Sequence, residues 1–193
     1  NYIRKTRRNV VGIMKDTYLL GIIGFGGMAG NHFKQLSKGN TKVKIKGVWD
    51  INPERRDAAA EKGLVAYNSE AELLNDPDID IVLVSSTNDV HKQIAIDALK
   101  AGKHIICEKP VAMSSEEIVE IMEAAKKYNR VFTVDQNRRT NRDFVLMRRT
   151  VESGVIGKPY IFESRVEGSR GVPGGWRTEK AKGGGMMLDW GVH

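Results

Sequence analysis

The chain has 193 residues, of which 40% are hydrophobic and 28% charged, the balance of a folded globular unit rather than of a disordered chain. No apolar run approaches the roughly 18 residues that a membrane span needs, and no signal-peptide core follows the basic N-terminus, so neither membrane insertion nor secretion is expected. The net charge of +7 comes largely from Arg4, Lys5, Arg7, Arg8 and Lys15, with no acid among the first fifteen residues; lacking interleaved aromatics or an amphipathic face, this stretch reads as a solvated extension and not as a nucleic-acid or lipid surface.

Residues 1–15 are therefore set apart as a basic leader outside the fold, with Met14 a natural start. Tyr18 to Gly24 is a short apolar run ending in glycine, the pattern of a buried parallel strand. Met28 to Lys38 follows as a helix and Val43 to Trp49 as a second strand. Pro53 suits the first turn of a helix that runs to Gly63. Ser69 to Asn75 is a short helix, with Ser69 and Glu72 in capping-box spacing. Ile79 to Ser85 is a strand, Asp89 to Ala101 a helix, and His104 to Cys107 a strand. Ser114 caps a helix to Asn129 that is acidic at its start and basic at its end. Val131 to Asp135 is a strand and Asn141 to Ser153 a helix. This alternation is the order of a doubly wound parallel sheet, an α/β fold. Lys158 to Val166 alternates like a half-exposed strand, and a glycine-rich loop follows to Gly185. The expected organisation is a dinucleotide-binding domain over residues 16–137, then a connecting helix and the start of a second domain over 138–193.

The first strand runs directly into Gly24-Phe25-Gly26-Gly27-Met28-Ala29, a GxGxxA loop opening a helix. Gly24 permits a tight turn, Gly26 lets the backbone approach a pyrophosphate, and Ala29 allows close packing of helix on strand. Gly27 and Met28 open the helix whose N–H groups face the phosphates. Asp50 ends the second strand twenty-six residues after Gly24. An acid there accepts ribose hydroxyls and repels a 2′-phosphate, which favours NAD over NADP. Arg55 and Arg56, on the following helix, are the counterweight. A Walker loop is absent, since Gly102-Lys103 is followed by histidine. So is the Tyr-Lys pair of short-chain dehydrogenases, and the first strand has no acid to suit a methyltransferase.

Ligands of such a sheet bind beyond the carboxyl ends of the strands. Ser86, Thr87, Asn88 and His91 lie at one such end and are expected to line the nicotinamide side. Glu108-Lys109-Pro110 lies at another. Asp189 and His193 share a face if residues 186–193 are helical. Trp176-Arg177, in the glycine-rich loop, is either a sugar-stacking pair or a packing anchor. His32 and His104 read as ordinary helix and strand residues, no cluster has metal-ligand spacing, and no metal is expected. Cys107, the only cysteine, reads as a buried strand residue; it excludes an intrachain disulfide and fits a cytoplasmic setting.

Taken together, GIIGFGGMA (21–29), SSTNDVHKQIAIDALKAGKHIICEKPVA (85–112), NRR (137–139), SGVIGKPYIF (153–162) and GGGMMLDWGVH (183–193) make the chain resemble the Gfo/Idh/MocA oxidoreductases, from about residue 18 to its end. The resemblance implies a Rossmann domain followed by a second domain with an open, mostly antiparallel sheet, most of which would lie beyond residue 193. It implies NAD(P)-dependent oxidation of an alcohol carbon on a sugar, inositol or related polyol, by a protein that is a homo-oligomer at full length. It also implies that Lys109 is the lysine of the EKP motif and that Asp189 and His193 are the acid and histidine of the last motif. On that basis His193 is expected to be the general acid/base, Lys109 its electrostatic partner and Asp189 the positioner, with Glu108 and Lys109 also touching the cofactor. The competing readings are a cofactor sensor without turnover and a non-catalytic fragment.

Overall fold

The computed structural model describes residues 15–39, 41–165, 167 and 173–193. The basic leader as far as Met14, the end of the expected strand at Val166, and residues 168–172 of the glycine-rich loop lie outside these. Lys15, set apart with the leader, forms an ion pair with Asp80.

Six parallel strands form one sheet in the order β3-β2-β1-β4-β5-β6. They are β1 (Tyr18–Ile23), β2 (Val43–Trp49), β3 (Val65–Ala66), β4 (Ile81–Val84), β5 (His104–Cys107) and β6 (Phe132–Val134). Helices α1 (Gly27–Leu36), α2 (Pro53–Ala60), α3 (Glu70–Asn75), α4 (His91–Lys100) and α5 (Ser115–Lys127) connect them, and α6 (Arg142–Glu152) follows β6. The doubly wound α/β expectation holds. The two-residue β3 was not anticipated; it pairs with β2 at Gly47 and Val48.

Alternation along each strand divides the core between the two faces. Leu20, Ile22 and Leu83 pack with Phe25, Ala29 and Ala59 on one face. Ile23, Val82, Val84, Ile105 and Cys107 pack on the other against Leu73, Ile94, Leu99 and Ile121. Full burial of such side chains contributes about 1.5–3 kcal/mol each. The helix starts are fastened as the sequence implied. Ser69 Oγ accepts the Glu72 N–H at 3.1 Å, and Ser114 Oγ accepts that of Glu117 at 3.4 Å. Asn52, not singled out from sequence, caps α2 by accepting the Glu54 N–H at 2.9 Å.

Two expectations change after β6. Residues 158–165 form no strand; Tyr160 is 93% exposed and Ile161 66%. A strand needs a neighbour for its backbone groups, and no described strand lies beside this segment. The last helix, α7, covers only Met186–Asp189, not 186–193. A Cβ at Gly191 would collide with the Met187 carbonyl, so the chain folds back there in a turn, and the His193 N–H bonds the Trp190 carbonyl at 3.0 Å.

Candidate functional site

Strand order reverses between β1 and β4, and the candidate site lies at the carboxyl edge around that point. Gly24 leaves β1 with φ +90°, and a Cβ there would stand 2.5 Å from the Ser85 carbonyl oxygen. Only glycine takes that turn against β4. Past it the loop is open: a Cβ at Gly27 would meet nothing within 4 Å, and one at Gly26 only the Arg55 guanidinium at 3.8 Å. Gly26 caps α1 without a side-chain hydrogen bond. The first N–H groups of α1, around Met28, thus face an unobstructed space, while Ala29 is buried against the sheet. These features fit a dinucleotide pyrophosphate.

Asp50 is 2% exposed. Its Oδ2 accepts the Phe25 N–H at 2.7 Å and contacts Arg55 at 3.3 Å; its Oδ1 accepts the Asn52 N–H at 2.8 Å. Arg56 donates to the Asp50 carbonyl at 2.7 Å. The carboxylate therefore braces the glycine loop; Oδ2 has both its lone pairs engaged, and Oδ1 keeps one for a further donor.

Ser86 and Thr87 sit half-buried at the end of β4. Asn88 and His91 turn inward and serve as struts. Asn88 Nδ2 donates to the Gly183 carbonyl at 2.8 Å. The His91 ring places Nδ1 at 2.9 Å from the Pro110 carbonyl and Nε2 at 3.2 Å from that of Ser86. Burial holds His91 below the usual histidine range, so the neutral ring donates its single N–H to one of these carbonyls and packs against the other beside the lysine turn.

Lys109 and Asp189, eighty residues apart, meet. Lys109 Nζ donates to Asp189 Oδ1 at 2.8 Å and to its main-chain oxygen at 2.7 Å, and Arg177 Nε reaches Asp189 Oδ2 at 2.9 Å. Burial alone would raise the Asp189 carboxyl, but the hydrogen bonds and charges of Lys109 and Arg177 hold it below the usual range. Both Asp189 oxygens are thus committed to cations and none to His193. His193 lies one turn further on, edge to face with Trp190 at 5.8 Å. Partial burial and the charges of Lys109 and Arg138 keep its ring below the usual range, hence uncharged near neutral pH. Trp176 carries the Arg177 guanidinium over its ring at 4.6 Å, so this pair acts at least as an anchor. The glycines before α7 allow this docking: a Cβ at Gly183 would strike Asn88 and Met113, and one at Gly184 the Arg177 carbonyl. A mainly apolar cleft of about 310 Å³ opens beside Lys109, its lining including Pro110, Met113, Ile118, Gln136, Leu188 and Val192.

Two further features escaped the sequence reading. Gln136 Nε2 donates to the Val192 carbonyl at 2.7 Å and so ties down the last turn. His32, read as an ordinary helix residue, instead meets Glu108 at 2.6 Å and Asp135 at 3.4 Å. No signal in the sequence marked His32 for this place.

Comparison with known proteins gives the same outline. The family described as "Oxidoreductase family, NAD-binding Rossmann fold" matches residues 19–136, and the GFO/IDH/MocA C-terminal domain matches residues 144–193. An inositol 2-dehydrogenase/D-chiro-inositol 3-dehydrogenase of Lactiplantibacillus plantarum is 34% identical over 76% of this chain and 43% of its own length. The crystal structure of an NAD-binding protein from Listeria innocua superposes with a TM-score of 0.88 at 49% identity, over 93% of this chain and 52% of that one. The WlbA dehydrogenase of Chromobacterium violaceum, solved with NADH and UDP-GlcNAcA, matches with a TM-score of 0.70 at 29% identity, over 75% of this chain and 42% of that one. The chain spans about half the length of the curated relatives it matches.

Proposed function

Since the chain belongs to the Gfo/Idh/MocA oxidoreductases, with their NAD-binding Rossmann fold, we propose that it carries the cofactor site and the lysine–aspartate–histidine group of a cytoplasmic enzyme. The reaction is hydride transfer between a sugar or polyol CH–OH carbon and NAD. The observation that carries this reading is the docking of Asp189 onto Lys109 at the strand edge that also holds the glycine loop. Bound NAD would supply the hydride acceptor.

The chain's own groups then divide the work. Gly24, Gly26, Gly27 and the start of α1, with Met28 and Ala29, hold the pyrophosphate, and Asp50 holds the adenosine ribose. Ser86 and Thr87 lie beside the nicotinamide end. Lys109 has three N–H donors and spends two on Asp189, so the third is left for the substrate oxygen as negative charge develops there. His193, uncharged at neutral pH, offers a ring nitrogen to take the hydroxyl proton. Asp189 fixes the lysine, and Arg177, with donors to spare, reaches towards substrate hydroxyls beside Trp176. Asp50 supports NAD over NADP, because an acid holding the adenosine ribose would repel a 2′-phosphate there.

The inositol dehydrogenase relative makes inositols and related polyols the first substrates to try. The full-length protein is to be given NAD and a panel of polyols and sugars, with NADH followed by absorbance. Turnover with at least one is expected, and its absence with every member refutes the reading. Size-exclusion chromatography of the same protein tests the expected homo-oligomer.

A further inference from the structure

Three elements place one ionisable side chain each at a single point beside the lysine turn. His32 comes from α1, the helix whose start faces the pyrophosphate; Glu108 follows β5; Asp135 follows β6. His32 Nε2 is 2.6 Å from Glu108 Oε1 and 3.4 Å from Asp135 Oδ2. Glu108 is only 4% exposed, and its other oxygen, Oε2, is buried without a hydrogen-bond partner. An isolated buried carboxylate costs several kcal/mol, so something must hold this one in place.

A proton suits the gap better than a metal ion. Ligand atoms each about 2.0–2.2 Å from a zinc-sized ion stand roughly 2.9 Å or more from one another. The His32–Glu108 separation is that of a short charge-assisted hydrogen bond.

We propose that His32 is a positioning residue for the hydride-transfer site: as an imidazolium it clamps Glu108, and through the chain the adjacent Lys109, to the phosphate-binding helix, with Asp135 as the second counter-charge. This rests on the dehydrogenase reading above. The groups facing His32 are Glu108 from β5 and Asp135 from β6. Glu108's hydrogen bond and the charges of both acids outweigh burial and raise the imidazole above its ordinary range. Burial and the Glu108 charge raise Asp135 in turn. The clamp therefore holds below the raised His32 value for as long as its acids stay ionised, and it loosens as pH climbs through that value.

The test uses the full-length protein with His32→Leu and His32→Gln. His32→Leu is expected to lower kcat by about tenfold or more, as small misplacements of a reacting group do, while KM for NAD stays within about threefold. His32→Gln keeps an amide donor for Glu108 and should recover much of that loss. It should also flatten the alkaline fall in rate expected of the wild-type. NMR titration of the wild-type imidazole is expected to give a pKa above 6.5, moving down in Glu108→Gln; this reading needs neither turnover nor a folded Leu variant. A wild-type enzyme that turns over, with both His32 variants equal to it, overturns the proposal and leaves the dehydrogenase reading standing. A wild-type protein inactive on every polyol sinks that reading instead, and the titration then decides whether the clamp exists. A His32 pKa at or below 6.5 overturns it. So does a zinc or manganese ion that raises Tm in the wild-type and not in His32→Leu.

Discussion

Replacing Lys109 by methionine should undock the end of the chain without unfolding the sheet. Lys109 gives Asp189 two charge-assisted hydrogen bonds, at 2.7 and 2.8 Å, and the side chains are 13% and 6% exposed. Hydrogen bonds to charged groups contribute about 1.5–3 kcal/mol, and breaking a buried pair outright costs about 3–5. Arg177 still faces Asp189 in the variant, though its own side chain is 35% exposed, so about 2–3 kcal/mol is expected. That raises the undocked population roughly 30- to 150-fold. The cost is local, because residues 177–192 reach the sheet edge through few polar ties: Asn88 to Gly183, Lys109 to Asp189 and Gln136 to Val192. Amide hydrogen exchange is the assay. The N–H groups of Gly185, Asp189 and Trp190, bonded to Arg177, Gly185 and Met186, should exchange faster by that factor. Those of Gly24 and Ser85, in the strand ends, should keep their rates. In a double-mutant cycle with Asp189→Asn, about 1–2 kcal/mol of coupling should appear. Unchanged exchange at 185–190, or additivity within about 0.5 kcal/mol, refutes the reasoning.

Gly24→Ala should cost about 2–5 kcal/mol in urea unfolding, since it adds a left-handed strain to a collision with Ser85. Gly27→Ala, with open space around the new Cβ, should stay within about 0.5 kcal/mol of wild-type stability yet weaken NAD binding at least tenfold, read by fluorescence titration. Asp50→Asn should narrow the preference for NAD over NADP in kcat/KM by about tenfold or more; an unchanged ratio would mean the acid only braces the loop. His193→Ala should lower kcat by about 10²–10⁴. Because the His193 pKa is depressed, the wild-type rate of alcohol oxidation should persist below pH 6.5 and fall only as pH drops through that lowered value. Asp189 is depressed as well, so its contribution to docking is present above the unfolded carboxyl value of about 3.9 and is lost as pH falls through the folded one. Protection of the Trp190 N–H, taken relative to its intrinsic exchange rate at each pH, should therefore be lost only in acid.

Local signals in the chain were enough for five of the six strands of the sheet and for their order among the helices. Apolar runs closed by glycine, Ser69 and Ser114 at helix starts, and GFGGMA between a strand and a helix are written within a few residues of one another, and neighbouring backbone acts on them directly. The family motifs likewise named Lys109, Asp189 and His193. Three things needed the tertiary structure. Asp189 spends its carboxylate on Lys109 and Arg177 and none of it on His193, which depends on how residues 177–189 fold back on themselves. Residues 158–165 have strand-like alternation but no described strand beside them, and pairing is never a property of one segment alone. His32, Glu108 and Asp135 stand 27 to 103 residues apart in the chain; the EKP motif marks Glu108, but no local pattern joins it to His32 or Asp135. They meet because α1, packed on the sheet face of Leu20, Ile22 and Leu83, brings His32 to the residues just past β5 and β6, and charges brought together at a buried edge set one another's protonation.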